Sequence, residues 1–471
     1  MISCSKSCFS DRKVTAFSLL GLVGFVISLM LFNSDPIMSA DSDGYIGFGI
    51  QRPLGYPWFL RGLQTLFRSF ALLPYIQLAV YWTALTYLTL GCFKITEKPL
   101  YIAMFFVGFA LNYPFIKMAF FILPESFSAA FLMLILGTLL RFFDTQKLKY
   151  LLWVSFCIGL GILCKPVFKF MLVVPILLWA LFFRKTFSLI NLGKIYMPVL
   201  VLFLLGSTGQ YIKNDVFNTE DFLGHNLLGK AGIIAKEDTP STLPQFMEPF
   251  IKESLKVQSV LQKASQISLA VEFSLACRFY DEMRYAVLGK ITQENHLKLT
   301  DHDHKTIALE IIKNNPLGYA KDVLMSYIGA WTFLELRTTA QNRNIYEFLD
   351  SHKNQIEPSV LDYFQGFRHF KRYYGNTMAY FMRLAFGLAF LSSLYFIGLG
   401  FYRGFKQLSL STAELTGFTS ACMIHAGFLV ICLVQAAFPR YTLLFWPCIV
   451  FLLVLGFREL VLKIYPHYEK A

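Results

Sequence analysis

Apolar runs of near membrane-spanning length recur through this chain, and they leave little choice of fold. A spanning helix needs about 20 predominantly apolar residues. Roughly ten stretches come near that length: 14–32, 72–93, 99–113, 124–143, 150–165, 167–183, 195–212, 377–402, 412–434 and 441–460. Only 15% of the 471 residues are charged, and mean hydropathy is +0.51, whereas a soluble chain carries about 25% charged residues. Phe alone supplies 49 residues, which suits side chains that face lipid or sit in interfacial belts. The expected fold is an all-α polytopic membrane protein with interfacial helices.

The net charge of +13 would point to nucleic acid if it were clustered on a soluble domain. Here many Lys and Arg residues sit in short loops, so a nucleic-acid partner is not expected. The sets Lys6/Arg12/Lys13, Lys94/Lys98, Arg141/Lys147/Lys149, Arg184/Lys185/Lys194, Arg403/Lys406 and Arg458/Lys463 fall on alternate sides of successive spans. Positive charge is retained on the cytoplasmic side. Both termini are therefore expected in the cytoplasm of an inner or plasma membrane, with segments 33–71 and 213–376 outside. The run from Val14 to Phe32 is too long for a signal h-region, and Asn33-Ser-Asp-Pro is no cleavage site, so it reads as an uncleaved first span.

Three regions follow. Residues 1–212 form an N-terminal membrane module with a first outer loop at 33–71. Residues 213–376 form a mainly helical extracytoplasmic domain, and 377–471 the last spans. Within the first loop, 57–70 reads as an amphipathic helix with Phe59, Leu63, Leu66, Phe67 and Phe70 on one face and Trp58 at headgroup depth. Gly/Asn-rich turns are expected near 214–232. Helical patterns follow near 247–290, 303–314 and 317–334. Nine cysteines occur without a CxxC pair, and only Cys277 falls in the large outer segment, so neither a zinc site nor a disulfide framework is expected.

By this topology the outer face collects Asp41, Asp43, Arg52, Lys117, Glu125, Lys165, Arg440 and Tyr441. Ionisable groups at the edge of an apolar bundle are costly and usually have partners or a function. Carboxylates can act as a general base or hold a divalent cation, and Arg or Lys can hold a phosphate. A lipid phosphate beside the bilayer needs both kinds of group. Asp41 and Asp43 would point the same way in an extended segment and raise each other's pKa. Asp43, before Gly44, could equally serve the turn. The run Asp301-His-Asp-His304 reads as a solvated turn rather than a metal cluster, and His425 as a helix-packing hydrogen bonder. No P-loop, GxGxxG or GxSxG occurs.

Several short segments in order resemble the GT-C class of membrane glycosyltransferases, which includes protein O-mannosyltransferases and aminoarabinose transferases. They are Asp41-Ser-Asp-Gly-Tyr45, Arg52 to Pro57, Pro124-Glu-Ser126, Gly159-Leu-Gly161 to Lys165-Pro166, Asn315 to Tyr319, and Arg440-Tyr441. The resemblance covers most of the bundle and is weak over roughly 235–310. The family more often has Thr-Glu at the middle segment and Arg-Pro at the hairpin.

The resemblance implies a polyprenyl-phosphate sugar donor and an acceptor that is a glycan, lipid or protein. It implies inverting transfer with Asp43 or Asp41 as general base. Arg440, Arg52, Lys165 and Tyr441 would bind the donor phosphate. Glu125, Tyr45, Tyr56 and Lys117 would position substrate. No cofactor is required, although Asp41 and Asp43 could ligate a divalent cation as readily as accept a proton. The competing reading is a transporter or flippase for a lipid-linked or acidic substrate.

Overall fold

A computed structural model describes residues 11–31, 35–39, 41–111, 113–237, 243–332, 351, 376–435 and 439–465. It is built from helices, and among the described residues the only β feature is an isolated bridge between Ile37 and Phe121. The chain divides into two compact units, residues 1–220 with 391–424 and 443–471, and residues 221–390 with 425–442.

The first unit holds α1 (Asp11–Leu31), α2 (Ser42–Ile46), α3 (Gly55–Phe67), α4 (Leu73–Cys92), α5 (Pro99–Ala110), α6 (Tyr113–Met118), α7 (Glu125–Thr145), α8 (Leu148–Cys164), α9 (Val173–Leu178) and α10 (Leu189–Asn214). Seven helical stretches among the described residues are long and apolar enough to cross a membrane: Val14–Leu31, Glu125–Thr145, Pro166–Phe183, Leu189–Asn214, Tyr380–Phe405, Thr412–Val434 and Leu443–Ile464. The expected count was about ten. Two of the missing three are shorter apolar helices, Pro99–Ala110 and Leu148–Cys164. The third is α4, whose Gln, Tyr and Thr residues dilute its apolar character. The stretch expected at 167–183 is continuous but composite: a 3₁₀ segment at Pro166–Leu172, then α9, then a π segment at Trp179–Phe183.

Close helix approach in this unit relies on small residues, as expected where lipid removes a hydrophobic driving force between helices. A Cβ on Gly137 of α7 would meet the Tyr87 ring at 2.8 Å, and one on Gly159 of α8 would lie 3.2 Å from Cα of Val199 in α10. Some polar atoms inside the bundle are satisfied locally. The Trp82 indole N–H donates to Ser28 Oγ at 3.1 Å, and that hydroxyl donates to the Gly24 carbonyl at 2.7 Å. Lys94 and Asp144 pair at 2.8 Å between the ends of α4 and α7.

The second unit contains α11 (Leu223–Ala231), α12 (Glu248–Ser265), α13 (Leu269–Asp281), α14 (Leu288–Glu294), α15 (Asp301–Asn314) and α16 (Pro316–Thr332). It also takes the first part of α17 (Asn376–Phe405), the last part of α18 (Thr412–Val434) and α19 (Pro439–Thr442). The final helix, α20 (Trp446–Ile464), belongs to the first unit.

Of the turns expected near 214–232, residues 215–222 are irregular, and the stretch Leu223–Ala231 is instead helix α11. Gly224 is used for close approach, not for a turn: a Cβ there would lie 2.0 Å from the Asp301 carbonyl oxygen. The Asp301 carboxylate accepts from the backbone N–H groups of Gly224 and His225, both at 2.9 Å. A side chain distant in sequence thus satisfies the orphan donors of α11.

The Asp301–His304 run is the first turn of α15, where Thr300 and Asp303 form a capping box. His304 packs 5.3 Å from the His225 ring, which stacks 4.8 Å from Phe222. Burial pushes the His225 imidazole down to about 4; Arg284 and His304 act the same way, and Asp301 opposes them.

The unfolded chain therefore takes up a proton near the ordinary value of 6.5 that the folded chain refuses. His225 stabilises the fold above that pH, and the contribution is lost as pH falls from 6.5 towards 4. Chemical unfolding of the second unit in detergent should lose about 1–2 kcal/mol between pH 7 and pH 5 through this half-buried ring. A His225→Phe variant should show a flatter profile, and an unchanged slope would exclude His225 as its source.

Candidate functional site

The segment before α2 is pinned to the segment ahead of α7 by backbone. Ile37 N–H donates to the Phe120 carbonyl at 2.7 Å, and Ile122 N–H donates to the Ile37 carbonyl at 3.0 Å. Ser42 Oγ adds a hydrogen bond to the Ile122 carbonyl at 3.1 Å. Beneath these contacts Tyr45, Tyr56, Leu60, Leu63, Leu73, Ile122, Leu123 and Cys164 form one apolar cluster. The loop therefore closes over a local core of its own.

Helix α3 starts at Gly55, which places Pro57 at its third residue, and it ends at Phe67, where Arg68 turns left-handed with φ 52°. Its inward face is Tyr56, Leu60 and Leu63. Leu66 and Phe67, on the apolar stripe expected to lie in the membrane interface, are exposed, as is Trp58. The helix turns inward the face that begins with Tyr56 because Gly55 is jammed against α8: a Cβ there would lie 2.7 Å from both Cβ and the carbonyl oxygen of Leu163.

Asp41 and Asp43 do not lie in an extended segment. Asp41 has αR geometry and precedes α2, and Asp43 is the second residue of that single turn. Two residues apart on helical backbone do not share a side. Asp41 pairs with Arg52, with Oδ1 and Nη2 2.6 Å apart. The same guanidinium lies 4.8 Å from the Tyr45 ring centroid. Asp43 is exposed and has no ion pair among the described residues.

Tyr45 meets Tyr56 edge-to-face at 5.4 Å. The Tyr56 hydroxyl donates to Gln77 Oε1 at 3.5 Å, and the Gln77 amide donates to the carbonyls of Ala119 and Phe121 at 2.9 and 3.0 Å. Burial pushes the Tyr56 phenol well above its ordinary range, and the charge of Glu125 adds to this. The ring is thus held as a neutral donor.

Glu125 opens α7, and Lys165 follows α8 in extended backbone. Their side chains pair at 3.0 Å and are almost completely buried, at 2% and 5% exposure. Glu125 Oε2 has no hydrogen-bond partner among the described residues. Two candidate cations are therefore each held by a candidate carboxylate, Arg52 by Asp41 and Lys165 by Glu125. Neither was expected to be so engaged. Lys117 lies half-buried in the last turn of α6.

Arg440 and Tyr441 fall in the second unit, within the one-turn helix α19; the Arg440 side chain lies outside the described residues. Tyr441 contributes to the electrostatic surroundings of Tyr280 and Arg284. No group of three or more His, Cys, Asp or Glu side chains among the described residues is placed to hold a metal ion.

Several participants carried no obvious signal. Gln210 donates to the Arg52 carbonyl at 2.8 Å, and Lys169 pairs with Glu220 at 3.1 Å, so the end of α10 and the residues after it brace the first loop and the 3₁₀ segment. Gln77 and Gln210 could have been found as amides inside apolar runs. In the second unit Arg284 is buried in a π segment (Glu282–Val287), with Nη2 2.8 Å from Asp281 Oδ1 and its guanidinium 4.4 Å from the Tyr285 ring.

Removing one member of a buried ion pair strands the other in low dielectric, at a cost of about 3–5 kcal/mol. Lys165→Met should lower the thermal midpoint in detergent sharply, and Lys165→Met with Glu125→Leu should recover most of the loss. If the double variant is no more stable than the single, the pair is not what holds the ends of these two helices. No protein-family model, no curated protein and no solved structure matches this chain.

Proposed function

We propose that this chain is a membrane glycosyltransferase of the GT-C type, which moves a sugar from a polyprenyl-phosphate donor to an acceptor hydroxyl at the extracytoplasmic membrane face. The observation that carries the reading is the gathering of Asp41, Asp43, Arg52, Glu125 and Lys165 around the Tyr45–Tyr56 pair at helix ends and short loops. The order of short segments along the sequence supports the same reading.

In this scheme Asp43 takes the proton of the acceptor hydroxyl. The hydroxyl oxygen attacks the anomeric carbon as the bond to the phosphate oxygen breaks. The leaving polyprenyl phosphate carries away the electron pair. Ionised at neutral pH, it needs positive charge and donors rather than an acid.

Asp43 is the better base because it is exposed while Asp41 is engaged with Arg52. Asp41 becomes a positioning residue that aims the guanidinium. A guanidinium already paired can still meet a phosphate, since Arg presents five donors in a fork. Lys165, neutralised by Glu125 and buried, sets the positions of the helix ends.

The test is glycan transfer in membranes with a labelled polyprenyl-phosphate sugar. Asp43→Asn should lower kcat by about 10²–10⁴-fold, the range for loss of a general base. Asp41→Asn should raise the donor KM more than it lowers kcat, because it frees Arg52. Full transfer by both variants and their double, with the protein normally inserted, would remove the base assignment. Movement of the intact donor lipid between leaflets without any transfer would favour a flippase.

A further inference from the structure

Helix α16 lies in the stretch that its position in the sequence assigns to the outer domain, and its own contacts point elsewhere. The Tyr319 hydroxyl donates to the Leu433 carbonyl at the end of α18. Tyr327 hydrogen-bonds His425 Nδ1 in the middle of that same helix. Trp331 packs 4.9 Å from the His425 ring and 5.1 Å from Phe428. Contacts thus run down α18 as they run up α16, so the two helices lie side by side and antiparallel.

At 1.5 Å per residue, Tyr319 to Tyr327 and Leu433 to His425 both cover about 12 Å. That depth approaches the midplane of a hydrocarbon core of about 30 Å. α18 is itself long and apolar enough to cross a membrane.

The opposite face of α16 has the composition of a lipid-facing surface. Leu317, Leu324 and Ile328 are 82%, 58% and 39% exposed and share one stripe. From Val323 to Thr332 there is no charged residue. The exposed Thr332 hydroxyl donates to the Ile328 carbonyl at 2.7 Å, which satisfies it without water. Lys321 is exposed nearer the start of the helix, where a long side chain reaches the interface. The one charge further along, Asp322, is buried against Lys230, which also donates to Ser326 Oγ at 3.2 Å. Charges placed beside a bilayer core are expected to pair in this way.

We infer that α16 is embedded in the membrane beside α18, with the Leu317–Leu324–Ile328 stripe against lipid acyl chains. The partner of this surface is the hydrocarbon of the bilayer, reached from the face at which α18 ends. The second unit is then anchored by a half-penetrating helix as well as by α17 and α18. This inference stands independently of the proposed chemistry.

A small fluorescent amino acid placed genetically at Leu317, Lys321, Leu324 or Ile328 tests it, with the full chain in bilayer nanodiscs. Iodide quenching should be graded by depth, greatest at position 317 and weaker at 321. Leu324 and Ile328 should resist iodide and be quenched several-fold more strongly by nitroxide-labelled acyl chains. The deeper label should act best at Ile328 and the shallower one at Leu317. Iodide quenching at 324 and 328 would overturn the inference by placing the stripe in water. Protection from both quenchers would overturn it too, by placing protein, such as a second copy, over the stripe.

Discussion

The buried pair of Lys165 and Glu125 is the interaction on which the first unit's candidate site depends. It ties the residue after α8 to the first residue of α7, and neither side chain has water to fall back on. Packed around it are helix α3, which can approach because residue 55 is Gly, a tyrosine kept neutral beside Glu125, and a glutamine that clasps the loop ahead of α7. An apolar pair of the same size could hold two helix ends as well. An ionic pair adds a directional constraint, because the carboxylate and ammonium must meet at hydrogen-bonding distance.

Two different electrostatic settings therefore sit close together along the chain. Lys165 and Glu125 cancel in a dry environment, and that cancellation fixes geometry. Arg52 and Asp41 cancel where water still reaches them, at 19% and 25% side-chain exposure. The latter pair is screened and can exchange partners at modest cost. Arg52 is further steadied by the Tyr45 ring and by the hydrogen bond that Gln210 makes to its carbonyl. The local charge balance is near neutral, and the guanidinium is preorganised yet not strongly attracting on its own.

Much of this was legible from the residues, and the failures have definite causes. Apolar runs located the long helices, because bilayer thickness is a constraint written directly in composition. The expected ten exceeds the seven long apolar helices among the described residues where runs became shorter helices, such as Pro99–Ala110, or were diluted by polar residues, as in α4. Glycine misled at 224, where a small residue serves helix contact and the sequence shows only its absence of bulk. Periodicity named the apolar stripe of α3 but not the residues that pack on protein, Tyr56, Leu60 and Leu63, because it does not say which neighbour covers a face. The charged residues were found but their pairing was not, since Asp41 with Arg52 and Glu125 with Lys165 are decided by three-dimensional approach. α16 was legible as a helix, but the pairing of its Asp322 with Lys230 is decided by three-dimensional approach.

The bridge between Ile37 and Phe121 has a consequence for how the protein is made. The strand-like contact joins residues on either side of α4 and α5, so the first loop emerges from the ribosome long before its partner exists. A nascent chain that has inserted only its first helix carries Asp41 and Asp43 on an unanchored loop. The carboxylates acquire their setting once the segment ahead of α7 has arrived, and Lys165 completes it later still. Biogenesis thus withholds the assembled geometry until nearly the whole N-terminal half has entered the membrane.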